Sequence, residues 1–378
     1  MSSSLGIFRR LAEVLEITPT TLGITATVTI DPPAEDDVRR RQLLTSLAVT
    51  AAAASAPARA AVAAAAGSEA SSRDVLLARI RDAMLGTGHS GHPIPRPRLR
   101  PALSAAIRDY DNCRYGRLAD ALPRLISSGH SAGEAANPVL AETYTLVTRI
   151  MIKLDEELGW IAADRARTLA AASGRPLVAG EAARNLAVLA RRAGWRTQAA
   201  QIALDMAEDE MLRGRDPTLT AERGLLVMSA AYTAAHDGDR SGMRQLTEQA
   251  AATAAQLGGG VLLRDHGGGF SATAVQLHLI SAECAAGDPA AAIAAARKLT
   301  PRSLPTLERR ARYFTDIARA YGMWGRRDQC LQALLHAERA APQETHSRPA
   351  VRDLVTGLLV SGRTSPELRG LAARCGIP

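Results

Sequence analysis

Aromatic side chains are scarce: three Phe, three Trp and six Tyr make up 3% of the 378 residues. A β-sandwich or barrel draws its core from aromatic and β-branched residues, so this composition disfavours a β-rich fold. Lysine is almost absent, and Lys153 and Lys298 follow Ile and Arg rather than Gly, which excludes a P-loop. Cys113, Cys284, Cys330 and Cys375 lie far apart with no C-x-x-C pair. Neither a zinc ribbon nor a dense disulfide framework is indicated, and a reducing, cytoplasmic setting is the expectation. H-E-x-x-H and G-x-S-x-G are missing as well. The apolar stretch Leu43 to Ala56 is 14 residues long, short of the ~20 that cross a bilayer, so no membrane partner is expected.

What the chain does have is alanine, at 75 positions, and arginine, which supplies 44 of its 46 basic residues. Alanine and leucine favour helices. The formal charge of +8 owes part of its size to this arginine bias, so it points only weakly to nucleic acid. The length fits two or three domains, or one elongated repeat array.

Along the chain, Leu5, Phe8, Leu11, Ala12 and Leu15 have the spacing of a short amphipathic helix that ends at Thr18-Pro19. Gly23 to Ile30 alternates β-branched residues, and Asp31 to Asp37 is an acidic, proline-containing linker. Arg39-Arg40-Arg41 opens the Ala-rich run to Ala66, read as a helix over 38–66. An arginine pair, an apolar run and Ala58-Arg59-Ala60 also have the form of a twin-arginine export signal, cleaved near Ala60. That form leaves an exported or membrane-associated scaffold as the alternative to a cytoplasmic protein. A proline-rich segment over 86–101 closes a linker assigned to 25–100.

From 101 to 378 one form recurs: an apolar helix, a glycine turn, a second helix. The turn glycines are Gly116, Gly159, Gly194, Gly238, Gly287 and Gly325, at intervals of 43, 35, 44, 49 and 38 residues. Such periods mark stacked helical hairpins. Ala121, Ala199 and Ala292 stand five residues after a turn, and Ala187, Ala231 and Ala318 seven before one. Small residues at those offsets let paired helices approach closely, as in the tetratricopeptide unit of ~34 residues, and Pro342 fits its terminal proline. The expected fold is all-α, a tetratricopeptide-like α-solenoid of about six hairpins with a partly disordered N-terminal arm.

The stretches Asn112 to Leu118, Arg309 to Tyr313 and Phe270 to His278 resemble actinobacterial regulators in which a Cro/repressor-type helix-turn-helix precedes degenerate tetratricopeptide repeats. Phe270, Thr273, Val275 and His278 fit the family's aromatic-Gly-Pro-Thr-Asn-Val-x-x-His pattern, while Ser271, Ala272 and Ala274 depart from it. Phe8 to Gly23 is similar to the closing helix of the repressor domain, so residues 1–24 are read as its remnant. The resemblance implies a transcriptional regulator that reaches DNA only indirectly, or through a missing N-terminal domain.

No constellation argues for catalysis, a metal or a cofactor. Gly86 to Gly91 satisfies G-x-G-x-x-G without the strand-to-helix context the motif needs, and His89-x-x-His92 has no third ligand nearby in sequence. Asp155-Glu156-Glu157 and Glu208-Asp209-Glu210 read as solvated faces. The glycine-rich interval Gly258 to Gly269, with Asp265-His266 inside it, reads as an inter-repeat loop or a flap.

In a tetratricopeptide array the first helix of each pair lines the concave face. Counting back from the turns places Arg149, Lys153, Glu156, Glu181, Arg184, Arg191, Leu225, Met228, Tyr232, Ala274, Ser281, Arg312, Thr315 and Arg319 there. Asn185 stands beside that row, and the resemblance adds Phe270 and His278. A concave, mainly basic row suits an acidic peptide, a small anionic ligand or a protein partner. Arginine filling exposed positions in an Arg-rich chain would give the same row, and a homodimer is compatible with such an array.

Overall fold

Apolar residues recurring every three or four positions produce sixteen α-helices among the described residues, which are 73–87, 92–261, 263, 269–362 and 364–377 of a computed structural model. Helix α1 spans 73–85. Six hairpins follow: α2 (Leu99–Asp111) with α3 (Tyr115–Ser131), α4 (Asn137–Leu154) with α5 (Leu158–Ser173), α6 (Pro176–Arg192) with α7 (Arg196–Glu208), α8 (Pro217–Asp237) with α9 (Arg240–Gln256), α10 (Ala272–Ala285) with α11 (Pro289–Ala296), and α12 (Leu307–Met323) with α13 (Arg327–Ala340). The short α14 (Pro342–Ser347) leads to a last pair, α15 (Pro349–Val360) and α16 (Pro366–Arg374). All these residues belong to the unit Ala58–Pro378. The readings made over residues 1–72, including the helix-turn-helix remnant, the arginine pair and the Ala-rich run, lie outside the described residues, as do Gly88 to Gly91 and Asp265-His266.

Each hairpin packs on the next through its first helix, so α2, α4, α6, α8, α10 and α12 form an inner layer and their partners an outer one. This is an α-solenoid. Gly194, Gly238, Gly287 and Gly325 take φ between 71° and 85° at the hairpin turns, a region that costs an L side chain energy. Asp239 and Asp288 then cap the second helices by accepting from the Gly242 and Ala291 N–H groups at 2.8 and 2.9 Å. The turns expected at Gly116 and Gly159 fall elsewhere. Both glycines lie in the first turn of a second helix, and the left-handed residues are Cys113 (φ 57°) and Asp155 (φ 60°). Gly159 serves close packing instead: a Cβ there would come within 3.1 Å of the Met151 Cβ.

Alanine does at the hairpin interfaces what its spacing implies. Ala187, Ala199, Ala292 and Ala318 are wholly buried, whereas Ala121 is half-buried. Helix α1, read from sequence as linker, packs Leu76, Ile80 and Met84 into the core built on Leu103, Leu122 and Tyr144. Arg73 bonds the Leu154 carbonyl and Arg165 the Met84 carbonyl, at 3.0 and 2.7 Å. The packed array therefore includes the helix from 73 onward, ahead of 101, because the apolar stripe of α1 needs the same core as the first hairpins. The glycine-rich interval is closed at its base, where Val261 and Phe270 exchange both backbone hydrogen bonds at 2.9 Å.

The two ends of the array meet. Tyr115 donates its N–H to Gln343 Oε1 at 2.9 Å and its hydroxyl to Glu344, while Cys113 packs on Ala311 and Ala341. Lys153 on α4 lies 3.0 Å from both Glu308 on α12 and Glu344 on α14.

Candidate functional site, a closed basic groove

The inner layer surrounds a cavity of about 1270 Å³. Eleven lysine and arginine side chains line it against four carboxylates, so the chain's excess of positive charge is concentrated here. Helical spacing aims the side chains. Arg184, Val188 and Arg191 share one face of α6, Tyr232 and His236 one face of α8, and Arg312, Asp316 and Arg319 one face of α12.

At the closing edge the charges are paired. Arg348 approaches Glu344 to 2.8 Å, and Arg309 lies 3.5 Å from Glu308. Burial by itself would push the Lys153 pKa down, but Glu308 and Glu344 raise it well above the usual lysine range. Glu308 stays ionised in turn: burial opposes its charge, and Lys153, Arg309 and Arg348 outweigh that cost. The Arg149 guanidinium and the Lys153 ammonium lie 4.3 and 4.4 Å from the centre of the Tyr110 ring. Beside them, burial lifts the Asp111 carboxyl to about 6 against the pull of Arg149.

The floor differs. Arg191, only 8% exposed, bonds the Thr233 hydroxyl at 3.2 Å and lies 4.5 Å above the Tyr232 ring. Arg191 and Arg319 form no ion pair with a described carboxylate. Burial lowers the Arg191 pKa to about 10, and repulsion from Arg312, Arg192 and Arg184 adds to the fall. His278 is held neutral, well below the usual histidine range, by burial and then by Arg312, Arg309, Arg184 and Arg191. Burial and Arg191 also bring His236 down to about 4. Asn185 Nδ2, Arg184 Nε and His278 Nδ1 are sealed from solvent and have no hydrogen-bond partner. Arg312 bonds Ser281 Oγ at 3.0 Å and lies 3.6 Å from Asp316.

Of the residues placed in the groove from sequence, Arg149, Lys153, Arg184, Asn185, Arg191, Tyr232, His278, Arg312 and Arg319 line this cavity. Thr315 lines it too, whereas Leu225, Met228, Phe270, Ala274 and Ser281 do not. Phe270 is wholly buried against Gly224 and Met228 is 2% exposed, both in the core between α8 and its neighbours. On α8 the count from the turn glycine is right at Tyr232 and wrong at Met228, where the neighbouring Ser229 lines the cavity instead, because on a helix packed on both sides apolar residues occupy more than one face. Of the acidic members, Glu181 sits behind the wall, 3.3 Å from Arg184, and Glu156 pairs with Arg73 on α1 at 2.7 Å. The counting missed Glu308, Arg309 and Arg348, which reach the cavity only because the array closes on itself.

No group of His, Cys, Asp and Glu among the described residues is arranged to hold a metal ion, and no described helix is long and apolar enough to cross a membrane. No family model matches the chain, and neither a curated protein nor a solved structure shows significant similarity to it.

Proposed function

We propose that the array is the sensor and interaction module of a regulatory protein, working by capture of an anionic ligand or acidic partner segment in the closed groove. The observation that carries this reading is the floor, where Arg191 and Arg319 have no ion-pair partner among the described residues while the buried Arg184 Nε and Asn185 Nδ2 lack acceptors. Charge and hydrogen-bonding capacity left unmet in a buried site cost stability, and a bound anion offsets that cost. The closure supports a sensor rather than a passive scaffold. The groove lies between ends that meet through polar contacts, so an occupant that prefers one spacing of the ends biases that spacing. A shift of this kind is what a regulator of transcription would pass on to a DNA-reading partner.

Thermal unfolding against a panel of acidic peptides, phosphorylated compounds and carboxylates tests the reading. A stabilising shift in the parent protein that disappears in the Arg184→Ala/Arg312→Ala variant is expected. No shift with any anion would overturn it.

A further inference from the structure

The floor of the groove is richer in charge than a single carboxylate needs. One carboxylate satisfies one guanidinium through two parallel hydrogen bonds. Here Arg312, Arg309, Arg184 and Arg191 all act on the buried His278, Arg191 and Arg319 both act on His236 beside it, and Asp316, 3.6 Å from Arg312, is the counter-charge on that part of α12. A phosphomonoester has three terminal oxygens and a charge of about −1.5 to −2 near neutrality, which matches several guanidiniums at once.

The surroundings bear on the size of the ligand. In an open superhelix an extended peptide can run along the groove and leave at both ends. Here Lys153, Glu308, Glu344 and Arg348 bridge the first hairpins to the last ones, and the cavity they bound is about 1270 Å³. That is above the ~1,000 Å³ to which small-molecule sites run, so a small organic phosphate fits with room to spare. Ile152, Val188 and the Tyr232 ring supply wall for an organic moiety beside the charged floor.

Resting on the anion-binding reading above, we propose that the groove is a site for a small phosphomonoester, its phosphate held by Arg191, Arg312 and Arg319 with Asn185 as a neutral donor. Arg184 supports this set from the α6 face, where Glu181 already engages it at 3.3 Å.

Isothermal titration of the full chain with phenyl phosphate, inorganic phosphate, benzoate, a phosphoserine peptide and hexaglutamate tests the assignment. The variants are Arg191→Met and Arg319→Met. Arg319 is half-buried and makes no ion pair among the described residues, so its removal is expected to leave the fold intact, which circular dichroism checks. Phenyl phosphate is expected to bind, with affinity falling at least about tenfold in each variant and benzoate bound at least about tenfold more weakly. Equal affinity for benzoate would overturn the phosphate assignment. Tighter binding of the phosphoserine peptide than of phenyl phosphate would overturn the small-molecule assignment. Binding of hexaglutamate alone, lost in the variants, would overturn the phosphomonoester while leaving the anion-binding groove standing. Silence from every probe at about 1 mM would overturn both.

Discussion

Two clusters of buried charge, at the edge and on the floor of one cavity, are built from the same residue types and do different things. At the closing edge Lys153 and Arg348 meet Glu308 and Glu344 at 2.8 to 3.0 Å, and each charge is held by another. On the floor Arg191 and Arg319 form no ion pair with a described carboxylate, and His278 stays neutral because it is buried and then because of the arginines around it. Desolvation is paid in both places. Only at the edge is it offset within the chain, so the edge reads as structure and the floor as a place for something else.

Removing one member of the edge cluster should have the largest effect. Lys153→Met leaves Glu308 and Glu344 buried side by side, and chemical denaturation is expected to show a loss of about 3–5 kcal/mol. A loss below about 1 kcal/mol would mean the edge is no more structural than the floor. Glu222, behind the floor, sharpens the contrast through pH. Burial raises it from 4.5 to about 8, and Glu181 adds to the rise. The folded chain keeps this proton up to about pH 8 while an unfolded chain releases it near 4.5, so stability should fall as pH rises through that window. Glu222→Gln should remove this loss, a gain of up to a few kcal/mol at pH 8 that vanishes at pH 4, read from denaturation at both values.

Gly224 tests the core that took Phe270 away from the groove. A Cβ at 224 would come within 2.3 Å of the Phe270 ring, so Gly224→Ala should cost about 1–3 kcal/mol and lower the melting temperature without changing ligand affinity. On the floor, Arg191→Met should leave stability within about 1 kcal/mol of the parent, because burial and like charges already penalise the guanidinium. That near-neutral result, set beside the loss at Lys153, is the most direct check of the comparison. In the outer layer Asp239→Ala removes the α9 cap and should cost about 1 kcal/mol by thermal melting.

Much of the scaffold was legible from local chemistry. Four turn glycines adopt left-handed backbone, and Asp239 and Asp288 cap the helices that follow, because a helix end and its cap depend on a few neighbouring residues. The same rule misplaced two turns, since Cys113 and Asp155 adopt the left-handed conformation that glycine usually marks. Helix α1 went unseen because its apolar stripe stands next to proline-rich sequence and finds its partners, such as Leu122 and Tyr144, well downstream. The groove face was legible at Arg184, Arg191, Arg312 and Arg319, where helical spacing alone decides orientation. It was not at Met228 and Phe270, where an apolar side chain on a doubly packed helix has two cores to choose from.

Helix, turn and the arginine-rich inner face are therefore properties of short stretches of this chain, set by propensity, by spacing and by the few residues that tolerate positive φ. Which of those arginines are neutralised is not local. Glu308 and Glu344 stand 155 and 191 residues beyond Lys153, and they meet it only because the hairpins stack with enough curvature to bring α12 and α14 back to α4. Charge falls off with distance in space, and it took the closed array to separate the arginines with partners from those left facing the cavity.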